Sequence, residues 1–135
     1  MPTQAAIRPA STEETTERID AISCLDESVR RRATPDRPSK PGSYLEVHGH
    51  NETLLIAIEQ GVTHIGRGLA AELRLDDASV SRRHAILVRR PTGARVLDDR
   101  SANGIFVNGR RVAQADLQNG DVLLLGRFVL RYLQV

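Results

Sequence analysis

An all-β fold, a two-sheet β-sandwich preceded by a largely disordered N-terminal tail, is predicted for this chain by three observations. Short runs of alternating apolar and polar residues recur from Tyr44 to the C-terminus. Turn signals built on Gly, Pro and Asn-Gly pairs separate those runs at short intervals. No long helical periodicity interrupts them.

Residues 1–43 read as tail and linker. Pro2, Pro9, Pro35, Pro38 and Pro41 lie among many Ser and Thr and few large apolar residues. Such a segment buries too little surface to offset its conformational entropy. Ser11 to Arg32 is a partial exception. Ser11 and Glu14 fit a capping box, and Ile19, Ile22, Leu25 and Val29 recur at near-helical spacing. An isolated helix of this length is marginal in water, which predicts a transient helix that folds onto a partner. Arg30 to Pro41 then forms an Arg- and Pro-rich linker.

Residues 44–135 form the predicted domain. Leu45 and Val47, Leu73 and Leu75, Ile86 and Val88, Ile105 and Val107, and Val122 and Leu124 alternate with their neighbours as half-buried strands do. Leu54 to Ile58 and Phe128 to Leu133 are more continuously apolar, as expected of strands buried more fully. Gly61, Gly68, Pro91-Thr92-Gly93, Asn103-Gly104, Asn108-Gly109 and Asn119-Gly120 supply the punctuation. About 90 residues suffice for one such core.

Composition narrows the function. With one cysteine, Cys24, the chain has neither a disulfide framework nor enough thiolates for a structural zinc site. No secretory leader is visible, and no run approaches the roughly 18 apolar residues of a membrane span. A cytoplasmic, monomeric protein without metal or cofactor is the expectation. The net charge of +2 supports no strong electrostatic claim, and Lys40 is the only lysine. An Arg-rich chain suits phosphate, because the guanidinium fork matches its oxygens, but a GC-rich genome gives the same bias. A nucleic-acid-binding sandwich using Arg82-Arg83, Arg89-Arg90 and Arg110-Arg111 is disfavoured by the small charge and the lack of stacking aromatics.

Four clusters lie in the gaps between strands: Gly66-Arg67, Ser81-Arg82-Arg83-His84, Ser101-Ala102-Asn103-Gly104 and Val107-Asn108-Gly109. They place two arginines, a serine hydroxyl and an asparagine amide on loops, where a rigid scaffold displays binding groups. Arg67 can reach a phosphate oxygen, each charge-assisted contact contributing roughly 1.5–3 kcal/mol. Asn-Gly is also the favoured two-residue hairpin turn, so Asn108-Gly109 and Asn119-Gly120 are read as turns. A Ser81–His84 catalytic pair is rejected: no acid is placed to orient the imidazole and no oxyanion motif is visible. No enzyme is expected.

The order Gly-Arg, Ser-x-x-His, Asn-Gly over residues 44–135 resembles the forkhead-associated family, whose β-sandwich (FHA/SMAD-like) binds phosphothreonine peptides. The resemblance implies that Arg67 and Ser81 hold the phosphate, Arg82 contacts phosphate or nearby backbone, and Asn103 holds the peptide main chain. Gly66, His84 and Gly104 would be architectural. The family often has Ser or Thr before the asparagine, whereas this chain has Ala102.

Glu13-Glu14-Thr15-Thr16-Glu17, with the apolar spacing after it and Leu25-Asp26, resembles an actinobacterial subgroup of that family, the glycogen accumulation regulators or oxoglutarate dehydrogenase inhibitors. The resemblance implies that a serine/threonine kinase phosphorylates Thr15 or Thr16, that the domain then captures its own tail, and that enzymes of 2-oxoglutarate metabolism are partners. Thr34, Ser39 and Lys40 mark a weaker phosphoacceptor region. About 28 residues separate Thr16 from Tyr44, a reach on the order of 30 Å for a flexible chain. The competing expectation is a constitutive adaptor that recruits a phosphorylated kinase or a secretion or cell-envelope component, with the tail only a spacer.

Overall fold

In the computed structural model, which describes residues 21–35, 38, 40–49 and 52–135, two sheets face each other across one apolar core. A 3₁₀ turn (Ala21–Cys24), a short helix α1 (Glu27–Arg32) and strand β1 (Thr34–Pro35) come first. Strands β2 (Ser43–His48), β3 (Thr53–Ile58), β4 (Gly61–Gly66), β5 (Leu73–Arg74), β6 (Ala85–Arg90) and β7 (Gly93–Asp98) follow. β8 (Ile105–Val107), β9 (Arg110–Val112), β10 (Gln114–Leu117), β11 (Val122–Leu125) and β12 (Phe128–Gln134) complete the chain. One sheet has the order β9-β8-β11-β12-β2-β3-β1 and the other β10-β7-β6-β4-β5. All pairings are antiparallel except β4 with β5.

The alternation places Leu45 and Val47 of β2 and Ile105 and Val107 of β8 inside, as expected. On β6 and β11 the inward face is shifted by one residue. Ala85 and Leu87 are buried rather than Ile86 and Val88, and Leu123 and Leu125 rather than Val122 and Leu124. Each run is apolar on both faces, so its pattern has no contrast from which to read the phase. The one buried tyrosine hydroxyl of β12 is satisfied, with Tyr132 Oη 2.9 Å from Ser43 Oγ.

The largest difference from expectation lies in residues 21–35. Ile22, Leu25 and Val29, read above as a stripe awaiting a partner, are 2%, 5% and 0% exposed and belong to the sandwich core. Asp26 caps α1 by accepting from the Ser28 amide at 3.2 Å. Leu25 bridges Leu75, the Asp76 amide donates to Cys24 O (2.9 Å), and β1 pairs with β3. The apolar stripe covers surface of its own domain. Replacing Val29 with Ala is expected to lower stability by about 1–3 kcal/mol in a denaturant titration. A change below about 0.5 kcal/mol would mean that this segment is no part of the folded unit. Ser11, Glu14, Thr15, Thr16 and Ile19 lie outside the described residues.

Candidate functional site

The end of β4 is laced to the loop that precedes β6. Arg67 N donates to Ser81 O (2.9 Å) and Gly68 N to Arg82 O (3.1 Å). The Arg67 guanidinium donates through Nε to Val80 O (3.0 Å), while its own carbonyl accepts from Arg74 Nε (2.9 Å). Gly66 is buried against this loop, and a Cβ there would run into the Arg82 carbonyl. Glycine is therefore required for the close approach of two backbones. Arg67 itself is half-buried.

His84 is fully buried and joins this loop to the Asn103 loop. Its Nδ1 accepts from the Ser81 amide (3.0 Å) and its Nε2 lies 2.9 Å from Gly104 O. An amide can only donate and a carbonyl can only accept, so the ring is neutral with its proton on Nε2. Gly104 sits at φ +85°, where a side chain is strained, and its amide donates to Ser101 Oγ (2.8 Å). The Ala102 amide donates to Ser81 Oγ (2.9 Å). The backbone of Ala102 thus occupies one lone pair of the Ser81 hydroxyl and leaves its proton for an outside acceptor.

The loops carrying Gly66, Arg67, Ser81, Arg82, His84, Asn103 and Gly104 are in this way tied into one unit. Arg82 and Asn103 are exposed, and neither has a side-chain hydrogen bond or ion pair among the described residues. The neighbouring Arg83 is different. Its guanidinium forks onto the buried Asp99 (Nε–Oδ2 3.1 Å, Nη2–Oδ1 2.9 Å), and Asp99 N donates to His84 O (3.0 Å). The three Asn-Gly pairs also separate. Asn108 and Gly109 both have positive φ and form the two-residue turn between β8 and β9. Asn119 Oδ1 accepts from the Gln134 amide (2.8 Å), whereas the exposed Asn103 side chain makes no hydrogen bond among the described residues.

A second support was not legible in the sequence. Asp77 accepts from Ser79 N (2.9 Å) and pairs with Arg127, whose backbone amide donates to Ser79 Oγ (2.9 Å). This ties the loop bearing Val80 and Ser81 to the turn between β11 and β12. The Arg127 guanidinium, with the Ser79 donors behind it, holds the Asp77 carboxyl down at about 2. Because the folded value lies below the ordinary 3.8, the stabilisation is complete above about pH 4 and disappears as pH falls through 2. Acid unfolding is expected to show a component on the order of 2 kcal/mol in that window. It should be absent from Asp77→Asn, as read by denaturant midpoints at pH 5 and pH 2.5.

Among the described residues no group of three or more His, Cys, Asp or Glu side chains is set to hold a metal ion. No helix among them is long and apolar enough to cross a membrane.

The family model for the FHA domain matches residues 63–126, the span that holds these loops. The chain is 30% identical over 131 residues to the oxoglutarate dehydrogenase inhibitor of Corynebacterium jeikeium, covering 93% of this chain and 91% of that protein. It is 39% identical over 95 residues to the glycogen accumulation regulator GarA of Mycobacterium tuberculosis. That match covers 69% of this chain but 59% of GarA, so the chain spans less than two thirds of that relative. Among solved structures, an FHA domain studied for phosphothreonine-dependent interactions superposes with a TM-score of 0.63 at 33% identity. It covers 69% of this chain and 96% of its own.

Proposed function

Because this chain belongs to the FHA-domain family, we propose that it is a non-catalytic reader of phosphothreonine peptides. In this reading its preferred ligand is its own tail, phosphorylated on Thr15 or Thr16 by a serine/threonine kinase. Acting as a cytoplasmic monomer, it regulates enzymes of 2-oxoglutarate metabolism, and capture of the tail competes with those partners. One observation carries the reading: His84 locks the Ser81 loop and the Asn103 loop to each other while the Ser81 backbone holds Arg67.

That arrangement leaves the Ser81 hydroxyl proton, the exposed Arg82 and the outer nitrogens of Arg67 to meet a phosphate dianion. The Asn103 amide is left to meet peptide backbone. A phosphate brings roughly −1.5 to −2 charge and three acceptor oxygens, which this donor set matches. The names of the relatives support the partner class, one being an inhibitor of oxoglutarate dehydrogenase.

The packing of residues 21–35 favours capture of the tail in cis. Ile22 is anchored in the core six residues after Thr16, a span of about 20 Å at full extension. Leu25 bridges Leu75, whose amide donates to Gly66 O (2.9 Å), so the anchor stands beside the Arg67 loop. A short tether raises the effective concentration above that of the long free linker expected from the sequence.

The test is calorimetry on the unphosphorylated full chain with peptides spanning residues 9–20, unphosphorylated or phosphorylated at Thr15 or Thr16. One phospho-form is expected to bind and the unphosphorylated peptide is not. Kinase treatment of the full chain should close the site to that peptide, and Thr15→Ala with Thr16→Ala should keep it open. Phosphopeptide binding that survives kinase treatment would remove self-capture and leave the constitutive adaptor.

A further inference from the structure

Most arginines around the site are already engaged. Arg83 is held by Asp99, Arg127 by Asp77, and Arg74 by Asp26, Asp76 and the Arg67 carbonyl. Arg111 is an exception. It stands on β9, opposite Phe106 of β8, because the Asn108-Gly109 turn folds β9 back along β8. Its guanidinium lies across the Gly104 backbone. The position of the missing Gly104 Cβ is 2.5 Å from Arg111 Nε, 2.9 Å from Cζ and 3.1 Å from Nη2. The residue is exposed and has no side-chain hydrogen bond or ion pair among the described residues.

This cation therefore lies against Gly104, the residue that follows Asn103 and whose carbonyl faces His84 Nε2. Arg67, Arg82 and Ser81 already suffice for a phosphate, which leaves Arg111 to a second negative group on the same ligand. The chain supplies such a ligand, since Thr15 and Thr16 are flanked by Glu13, Glu14 and Glu17.

We propose that Arg111 is a specificity-determining residue of the peptide site, pairing with a glutamate carboxylate next to the phosphothreonine. The preferred ligand is then an acidic phosphothreonine peptide rather than any phosphothreonine. The inference rests on the phosphopeptide reading above and adds the sequence class that the site selects. Gly104 belongs to the same device: beyond its positive φ, the absent side chain is what lets the guanidinium approach the Gly104 backbone.

A double-mutant cycle tests it on the unphosphorylated full chain. The chains are wild type, Arg111→Gln and Arg111→Lys. The ligands are the tail peptide in its binding phospho-form and three versions with Glu13, Glu14 or Glu17 changed singly to Gln. Thermal melts confirm that each variant is folded. Arg111→Gln is expected to weaken the native phosphopeptide about 2–5-fold, the range of an exposed charge pair. One glutamate change should cost the same against wild type and nothing further against Arg111→Gln. Arg111→Lys should retain part of the affinity, and added salt should shrink the difference. Wild-type binding with no loss in Arg111→Gln, or losses that simply add for all three glutamates, overturns this inference alone. Failure of wild type to bind any phospho-form overturns the phosphopeptide reading and this inference with it.

Discussion

Replacing His84 with Ala is expected to lower stability by about 3–5 kcal/mol. The ring is fully buried and satisfies two backbone groups, the half-buried Ser81 amide and the buried Gly104 carbonyl. Leaving such a group without a partner costs about 1–3 kcal/mol, and the void left by the ring adds to that. A chain of this size holds only about 5–15 kcal/mol in total, so the variant should sit near the edge of folding at room temperature. Urea midpoints give the measurement. His84→Gln, which can replace one of the two bonds, should fall between wild type and Ala. Phosphopeptide affinity should drop in both variants under conditions where they remain folded, because the Ser81 and Asn103 loops would no longer be tied. A loss under 1 kcal/mol for the alanine variant would show that the histidine is not the brace.

Arg67→Ala carries the largest expected effect on binding with the least on the fold. The phosphate contact proposed for it would be charge-assisted, and losing about 1.5–3 kcal/mol corresponds to roughly 10–150-fold in affinity. The Nε bond to Val80 O is also lost, so a small fall in stability on the order of 1 kcal/mol should accompany it. Arg67→Lys restores the charge but neither the fork nor the bond to Val80, and should recover only part of the affinity. Calorimetry with the binding phosphopeptide measures both variants. An affinity within threefold of wild type would place the phosphate elsewhere.

Much of this was legible because the informative features are local. Gly66-Arg67, at the end of β4, and Ser81 to His84 and Asn103-Gly104, between strands, are each short contiguous runs, and their residue types announce a loop chemistry whatever the strands around them do. The fold class was legible for the same reason: turn residues and period-two runs are short-range properties. What escaped depended on distance in the chain. Asp77 and Arg127 are 50 residues apart, and Arg83 and Asp99 are 16 apart, so neither pair leaves a mark on its own segment. The stripe of Ile22, Leu25 and Val29 was visible as a stripe, but periodicity does not say what an apolar face covers. The inward phases of β6 and β11 were hidden because Ile86 to Val88 and Val122 to Leu125 are apolar throughout.

Strand β1 is two residues long, yet it occupies the outer flank of the larger sheet, where Thr34 and Pro35 pair with Leu55 and Leu54 of β3. Without it, β3 would become the edge. Its sequence, Thr-Leu-Leu-Ile-Ala-Ile, is a six-residue, uncharged, proline-free run that another chain could extend strand to strand. Proline at the outermost position, with no amide proton to offer, ends that ladder. A fragment trimmed to begin at Tyr44 would thus bare a sticky seam, and its first symptom would be self-association and loss of solubility rather than loss of ligand recognition.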